Sequence, residues 1–189
     1  GDLNAKKLAL LLPGRLDTKD YPHMKSHVNF LASKGYLALS FDPPGTWESP
    51  GEIKLYTMTN YLKAINELIE YFGNKPTILM GHSRGGTMAM LAGTQNKNVT
   101  HIIAVMSHID PSEISEKGRK QGFEVSRRDA PSGEKKEFKL PLNYFEDADQ
   151  YSKILKESLA KSPKPKLYFL GKRDMVNPPE EIKEIFENS

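Results

Sequence analysis

The chain has 189 residues, 38% hydrophobic and 27% charged, the length and balance of one ordinary soluble domain with room for a three-layer core. It contains no cysteine, which excludes a disulfide scaffold, a thiolate zinc site and a cysteine nucleophile. The 27 Lys and Arg against 24 Asp and Glu leave a net charge of +3 spread along the chain in both signs, not the one-sided basic surface of a nucleic-acid binder.

No apolar run approaches the roughly 20 residues of a membrane span. The opening Gly1-Asp2-Leu3-Asn4 lacks the charged-then-apolar layout of a signal peptide. A cytoplasmic protein with no membrane span is expected.

Three short runs, 8–12, 36–41 and 77–80, are apolar on successive residues and are followed by Gly, Pro or Asp. Strands covered on both faces read this way, because alternation is needed only where one face meets water. A helical segment follows each. The first starts at Pro22 and carries Met24, His27, Val28 and Leu31 at helical spacing up to Gly35; His27 falls on that apolar stripe and is expected in the core. The second carries Met58, Tyr61, Leu62, Ile65, Leu68, Ile69 and Phe72 and stops at Gly73. The third begins at Ser83 or Arg84 and runs to about Gln95.

A strand at 102–106 comes next, then a long excursion over 107–147, a helix at 149–159, a strand at 166–170 and a last helix at 179–186. Strands alternating with helices imply a mostly parallel sheet with right-handed crossovers and helices on both faces, an α/β sandwich of three layers. One domain over 1–189 is expected, with 107–147 inserted into it. Residues 113–139 are crowded with both charge signs and poor in large apolar residues, so they cannot build a core alone. They read either as a lid or hairpin laid over the carboxyl ends of the strands, or as a surface loop.

The sharpest signal is Thr77-Ile78-Leu79-Met80-Gly81-His82-Ser83-Arg84-Gly85-Gly86. Gly-x-Ser-x-Gly alone is common, but here a buried strand ends at its first glycine and a helix starts at its serine, the setting in which the motif carries chemistry. The turn is tight enough that the residues two before and two after the serine must be small. Ser83 then projects above the strand ends, and the helix start offers free N–H groups and positive potential to a developing oxyanion. A glycine-rich strand–helix turn without catalysis is the alternative.

On these residues the chain resembles the α/β-hydrolase family. The resemblance extends to the segment Pro13-Gly14-Arg15-Leu16-Asp17, where the family usually has His-Gly-x, and implies oxyanion donors at the N–H of Arg84 and of Arg15 or Leu16. Asp42-Pro43-Pro44-Gly45-Thr46-Trp47-Glu48-Ser49 is similar to the Asp-x-x-Gly-x-Gly-x-Ser loop of the lysophospholipase and monoacylglycerol-lipase branch, with Trp47 in place of the second glycine. Asp42 is then a turn-holding acceptor, and Trp47 either lines an acyl pocket or packs. Leu167 to Pro179 is similar to the family's strand–Gly-x-x-Asp-x-x-Val-Pro segment, which implies Asp174 as the triad acid.

All five histidines, His23, His27, His82, His101 and His108, precede Asp174, whereas the family order is Ser, Asp, His. Three explanations compete. A further strand and helix carrying the histidine follow Ser189, which would also cover strand 166–170, otherwise an apolar edge. His108, just past a strand end, serves as the base and lines the substrate pocket. Or the protein binds acyl ligands without turning them over. No histidine has metal-ligand spacing, so neither metal nor cofactor is expected. The resemblance implies a serine hydrolase of a small-molecule carboxylic ester, thioester or small amide, acting through an acyl-Ser83 intermediate. The rival is a catalytically impaired binding protein on the same scaffold.

Overall fold

A computed structural model describes residues 1–109, 115–171, 180, 182 and 183. Strands β1 (Lys7–Leu12), β2 (Tyr36–Ser40), β3 (Thr77–His82), β4 (Val99–Val105) and β7 (Lys166–Phe169) form a sheet in the order β2-β1-β3-β4-β7. Every pairing in it is parallel. The reversal from β1 to β2 on one side and β3 onward on the other puts β1 and β3 at the centre, where their carboxyl ends meet at a topological switch point. Ligands of open α/β sheets bind at such points.

The helices fall on both faces. Helix α1 (Pro22–Ser33) packs on Ala9, Leu11 and Ala38 through Met24, with Val28 and Leu31 beside it. Helices α2 (Met58–Tyr71) and α3 (Arg84–Gln95) cover the other face, where Leu8, Leu10, Leu12 and Leu79 meet Met58, Tyr61, Ile65, Ile69, Met88 and Leu91 in the main core. Helix α2 carries the expected stripe and starts where Thr57 caps it, accepting from the Asn60 N–H. Buried on every turn, α3 is apolar all round as a central helix should be. Lys164 closes its carboxyl end, donating to the carbonyls of Gly93 (2.7 Å) and Asn96 (2.6 Å).

One expectation needs correction. His27 is exposed rather than in the core: its ring nitrogen turns back to the His23 carbonyl 2.5 Å away. Of the two readings of the excursion, a hairpin and a surface loop, the structure shows the hairpin. Helix α4 (Glu116–Gln121) leads through the left-handed Gly122 into strands β5 (Phe123–Asp129) and β6 (Lys135–Pro141), an antiparallel pair. Helix α5 (Leu142–Asp149) follows, and then α6 (Tyr151–Lys161), which begins two residues later than its sequence pattern suggests.

The hairpin alternates with period two. Glu124, Ser126 and Arg128 on β5 and Lys136, Phe138 and Leu140 on β6 turn inward, while Val125, Arg127, Lys135, Glu137 and Lys139 are exposed. Phe138 and Leu140 join the main core, so the segment borrows a core it could not build. At the far edge of the sheet, Leu167 and Phe169 of β7 are each 50% exposed. Of the helix expected at 179–186 only Glu180, Ile182 and Lys183 are described, with Ile182 buried in the main core. Asp174 lies outside the described residues.

Candidate active site

Ser83 stands between the end of β3 and the start of α3 with φ 51° and ψ −123°, a backbone conformation that L-residues with a side chain avoid. The surroundings hold it there. Its N–H donates to the Val105 carbonyl at 2.9 Å, and its carbonyl accepts from the Gly86 N–H at 2.9 Å and the Thr87 N–H at 3.1 Å. A Cβ on Gly81 would overlap the Gly85 backbone, one on Gly85 would overlap the Leu12 carbonyl, and one on Gly86 would overlap Ser107 Oγ. Gly86 completes the set that the spacing argument began. The Ser83 side chain does not cap α3 and is only half-buried, so its hydroxyl is spent on no structural bond of the helix start.

The loop after β1 lies directly against this bend. Leu12 and Pro13 touch Gly85, and Gly14 sits beside His82 Nδ1. Beyond it, Leu16 is fully buried with φ 59°. The Leu16 N–H is given to Tyr56 Oη at 3.2 Å, and its carbonyl accepts from Trp47 Nε1 at 2.9 Å. Of the two neighbouring N–H groups singled out in the sequence, that of Leu16 is therefore engaged, while that of Arg15 donates to no described group. The guanidinium groups of Arg15 and Arg84 lie 5.6 and 5.4 Å from the Tyr144 ring centroid, so α5 brings these two residues to one aromatic ring.

Trp47 has φ 39° and packs edge-on against Phe138, 5.4 Å between ring centroids, with Lys136 over its ring. Its indole N–H is used on Leu16, so it braces two loops whatever else it touches. Asp42 is 3% exposed and accepts from the Lys19 N–H at 2.8 Å and the Glu48 N–H at 3.4 Å: it holds its turn, as expected. Lys19 joins Glu48, Asp20 and Asp42, and the Glu48 hydrogen bond, against the opposing effect of burial, pulls its pKa well above the usual lysine value. His108 follows β4, and its carbonyl accepts from Thr87 Oγ1 at 2.8 Å, which ties it to the first turn of α3. The structure thus gathers Ser83, Arg84, Arg15, Leu16, Trp47 and His108 around the carboxyl ends of β1, β2, β3 and β4.

Sequence reasoning missed Tyr56, Tyr144, Glu124 and Arg128. Tyr56 and Tyr144 stack 5.1 Å apart, both fully buried, and burial followed by the neighbouring Tyr144 hydroxyl pushes the Tyr56 pKa far up. Tyr56 is thus a neutral hydrogen-bonding group at any working pH. Nothing local in sequence marks either residue. The hairpin residues did have a signal: alternation on either side of Pro131-Ser132-Gly133 is a hairpin pattern.

Among the described residues no three His, Asp or Glu side chains are grouped as a metal site would need. No described helix is long and apolar enough to cross a membrane.

No curated protein matches the chain. Solved structures do. The ferulic acid complex of Est1E from Butyrivibrio proteoclasticus superimposes with a TM-score of 0.74 at 21% identity, covering 98% of this chain and 77% of that one. A monoacylglycerol lipase from Paleococcus ferrophilus gives 0.73 at 18%, covering 96% and 79%, and a thioesterase domain from the curacin biosynthetic pathway 0.68 at 16%, covering 100% and 82%. The family model described as alpha/beta hydrolase fold matches residues 9–140. With the parallel sheet, the strained serine between β3 and α3 and the loop of β1 packed against it, the chain belongs to the α/β hydrolase family.

Proposed function

We propose that the protein is a serine hydrolase that cleaves a small-molecule carboxylic ester, thioester or small amide. Ser83 Oγ attacks the carbonyl carbon, the C–O, C–S or C–N bond breaks, and water then releases the acyl group from Ser83. The proton leaving Ser83 passes to a histidine and from it to the departing alcohol, thiol or amine, since a serine hydroxyl is a weak nucleophile without a base. Asp174 orients that histidine. The N–H groups of Arg84 and Arg15 bind the oxyanion, and removing one such donor typically costs about 3 kcal/mol of barrier.

The observation that carries this reading is the φ 51°, ψ −123° backbone of Ser83 with its side chain off the helix cap. Strain of this kind persists only where the surroundings enforce it, and it clusters at active sites. The ferulic acid bound to Est1E and the activities in the names of the monoacylglycerol lipase and the thioesterase domain support an ester or thioester as the substrate class. They do not choose among these substrates, because one fold hosts many pockets.

The rival reading is a binding protein on this scaffold that holds an acyl ligand without turning it over. His108, beside the first turn of α3, is the base proposed from within these 189 residues. A fluorophosphonate probe and p-nitrophenyl acetate decide between the readings. A hydrolase is labelled at Ser83 and loses both labelling and turnover in Ser83→Ala with its fold intact. An unlabelled wild-type protein, or a Ser83→Ala variant with unchanged turnover, sinks the hydrolase. Loss of turnover in His108→Ala would assign the base.

A further inference from the structure

The Arg15–Leu16 peptide group is held at both ends. Its N–H, on Leu16, goes to Tyr56 Oη at 3.2 Å, and its C=O, on Arg15, accepts from Arg128 Nη2 at 3.2 Å. Tyr56 belongs to the main core, but Arg128 belongs to β5 of the inserted hairpin. A second hairpin residue, Glu124, forms an ion pair with the Arg15 guanidinium. Burial, the largest single effect, would raise the Glu124 carboxyl, yet the Arg15 hydrogen bond and charge together with the bonds from Ser115 hold the pKa below the usual range, so the pair is charged at neutral pH.

Arg128 also stands 3.8 Å from Asp17. Asp129, next along β5, accepts through its carbonyl from Tyr21 Oη at 3.1 Å. Glu124 and Arg128 share the inward face of β5, while Arg127 between them points out to Glu137. A backbone N–H lies in its own peptide plane, and for Arg15 that plane is joined through the Arg15 Cα to the clamped Arg15–Leu16 peptide and to the clamped side chain. With Leu16 strained at φ 59°, the loop needs external holds to keep Arg15 in one orientation.

We infer that Glu124 and Arg128 are positioning residues for the oxyanion site. The inner face of the hairpin, through the Arg15 side chain and the Arg15 carbonyl, aims the Arg15 N–H at the acyl oxygen. Docking of the insertion and assembly of the oxyanion hole are then one event. This rests on the hydrolase reading for its catalytic meaning, but not for its structural content.

The test uses the whole chain as Arg128→Ala, Arg128→Lys, Glu124→Gln and, as a control on the same strand, Arg127→Ala. Amide hydrogen exchange over residues 13–18 should accelerate in Arg128→Ala and Glu124→Gln, recover in part in Arg128→Lys, and stay at the wild-type rate in Arg127→Ala. Turnover of p-nitrophenyl acetate should fall in kcat on the order of 10- to 100-fold with KM little changed, as a misaimed catalytic group implies. Affinity for a trifluoromethyl ketone, which forms a tetrahedral oxyanion on serine, should fall in parallel.

Unchanged exchange overturns the clamp itself. Faster exchange with wild-type kcat, in an enzyme still labelled at Ser83, overturns the positioning role and leaves a merely structural contact. A wild-type protein that does not label defeats the hydrolase reading, and the oxyanion role falls with it whatever the exchange shows.

Discussion

Gly85 lies against the carbonyl of Leu12 so closely that a Cβ would overlap it, with the Pro13 carbonyl next in the way. This contact joins the first turn of α3 to the end of β1, and both obstructing atoms are backbone, which cannot swing aside as a side chain can. Overpacking of a well-fitted interior costs about 1–3 kcal/mol. Gly85→Ala should therefore lower the melting temperature by several degrees and reduce Ser83 labelling, because the loop after β1 must shift to admit the methyl group. A variant with wild-type melting temperature would show that the two segments are not in contact.

The strain at Ser83 makes a prediction of opposite sign. A side chain at φ 51°, ψ −123° costs about 1–3 kcal/mol, and glycine adopts such angles without that penalty. Ser83→Gly should be inactive and yet melt higher than the wild type, offset in part by the extra freedom of glycine in the unfolded chain. Ser83→Ala keeps the Cβ and should gain no such stability. Scanning calorimetry of the three proteins separates strain from loss of the hydroxyl; a Ser83→Gly variant less stable than Ser83→Ala would contradict it.

The parallel sheet was legible because its strands are buried on both faces, which writes successive apolar residues such as Leu8 to Leu12 into the chain. The elbow was legible because steric crowding leaves only glycine at Gly81 and Gly85. The hairpin was harder to read. Its inward positions include Glu124, Arg128 and Lys136, charged residues that find partners only in the tertiary fold: Arg15 for Glu124, the Arg15 carbonyl for Arg128, and the Trp47 carbonyl for Lys136. Composition counts those charges as solvent-facing. Tyr56 was invisible for a related reason, since its role depends on a peptide 40 positions away in sequence.

That tyrosine carries the next prediction. Tyr56 Oη is the acceptor for the buried Leu16 N–H, and Tyr56→Phe keeps the ring stacked on Tyr144 while deleting the acceptor. A buried N–H left without a partner costs about 1–3 kcal/mol. The variant should lose stability of that size in urea unfolding with an unchanged slope. Exchange at Leu16 should accelerate, while Tyr144→Phe, whose hydroxyl has no hydrogen-bond partner among the described residues, should be close to neutral. Equal effects of the two substitutions would refute the assignment.

The last prediction concerns pH. His23, Met24 and His27 on α1 face His82, Met80 and Gly81 on β3 across a cavity of about 200 Å³, with the His23 and His82 rings 6.0 Å apart. Burial first, then the His82 ring and to a lesser degree His27, lower the His23 pKa below the usual imidazole value, with Asp17 opposing them. The unfolded chain therefore binds this proton more readily than the folded one. Stability is fully present above the unfolded value of about 6.5 and is lost as pH falls from there toward the depressed folded value. The wild-type melting temperature should decline between about pH 7 and pH 5, and His23→Gln, which has no proton to gain, should decline less steeply over the same interval. If both proteins lose stability at the same rate, protonation of His23 does not oppose folding, and its ring is too well solvated to matter.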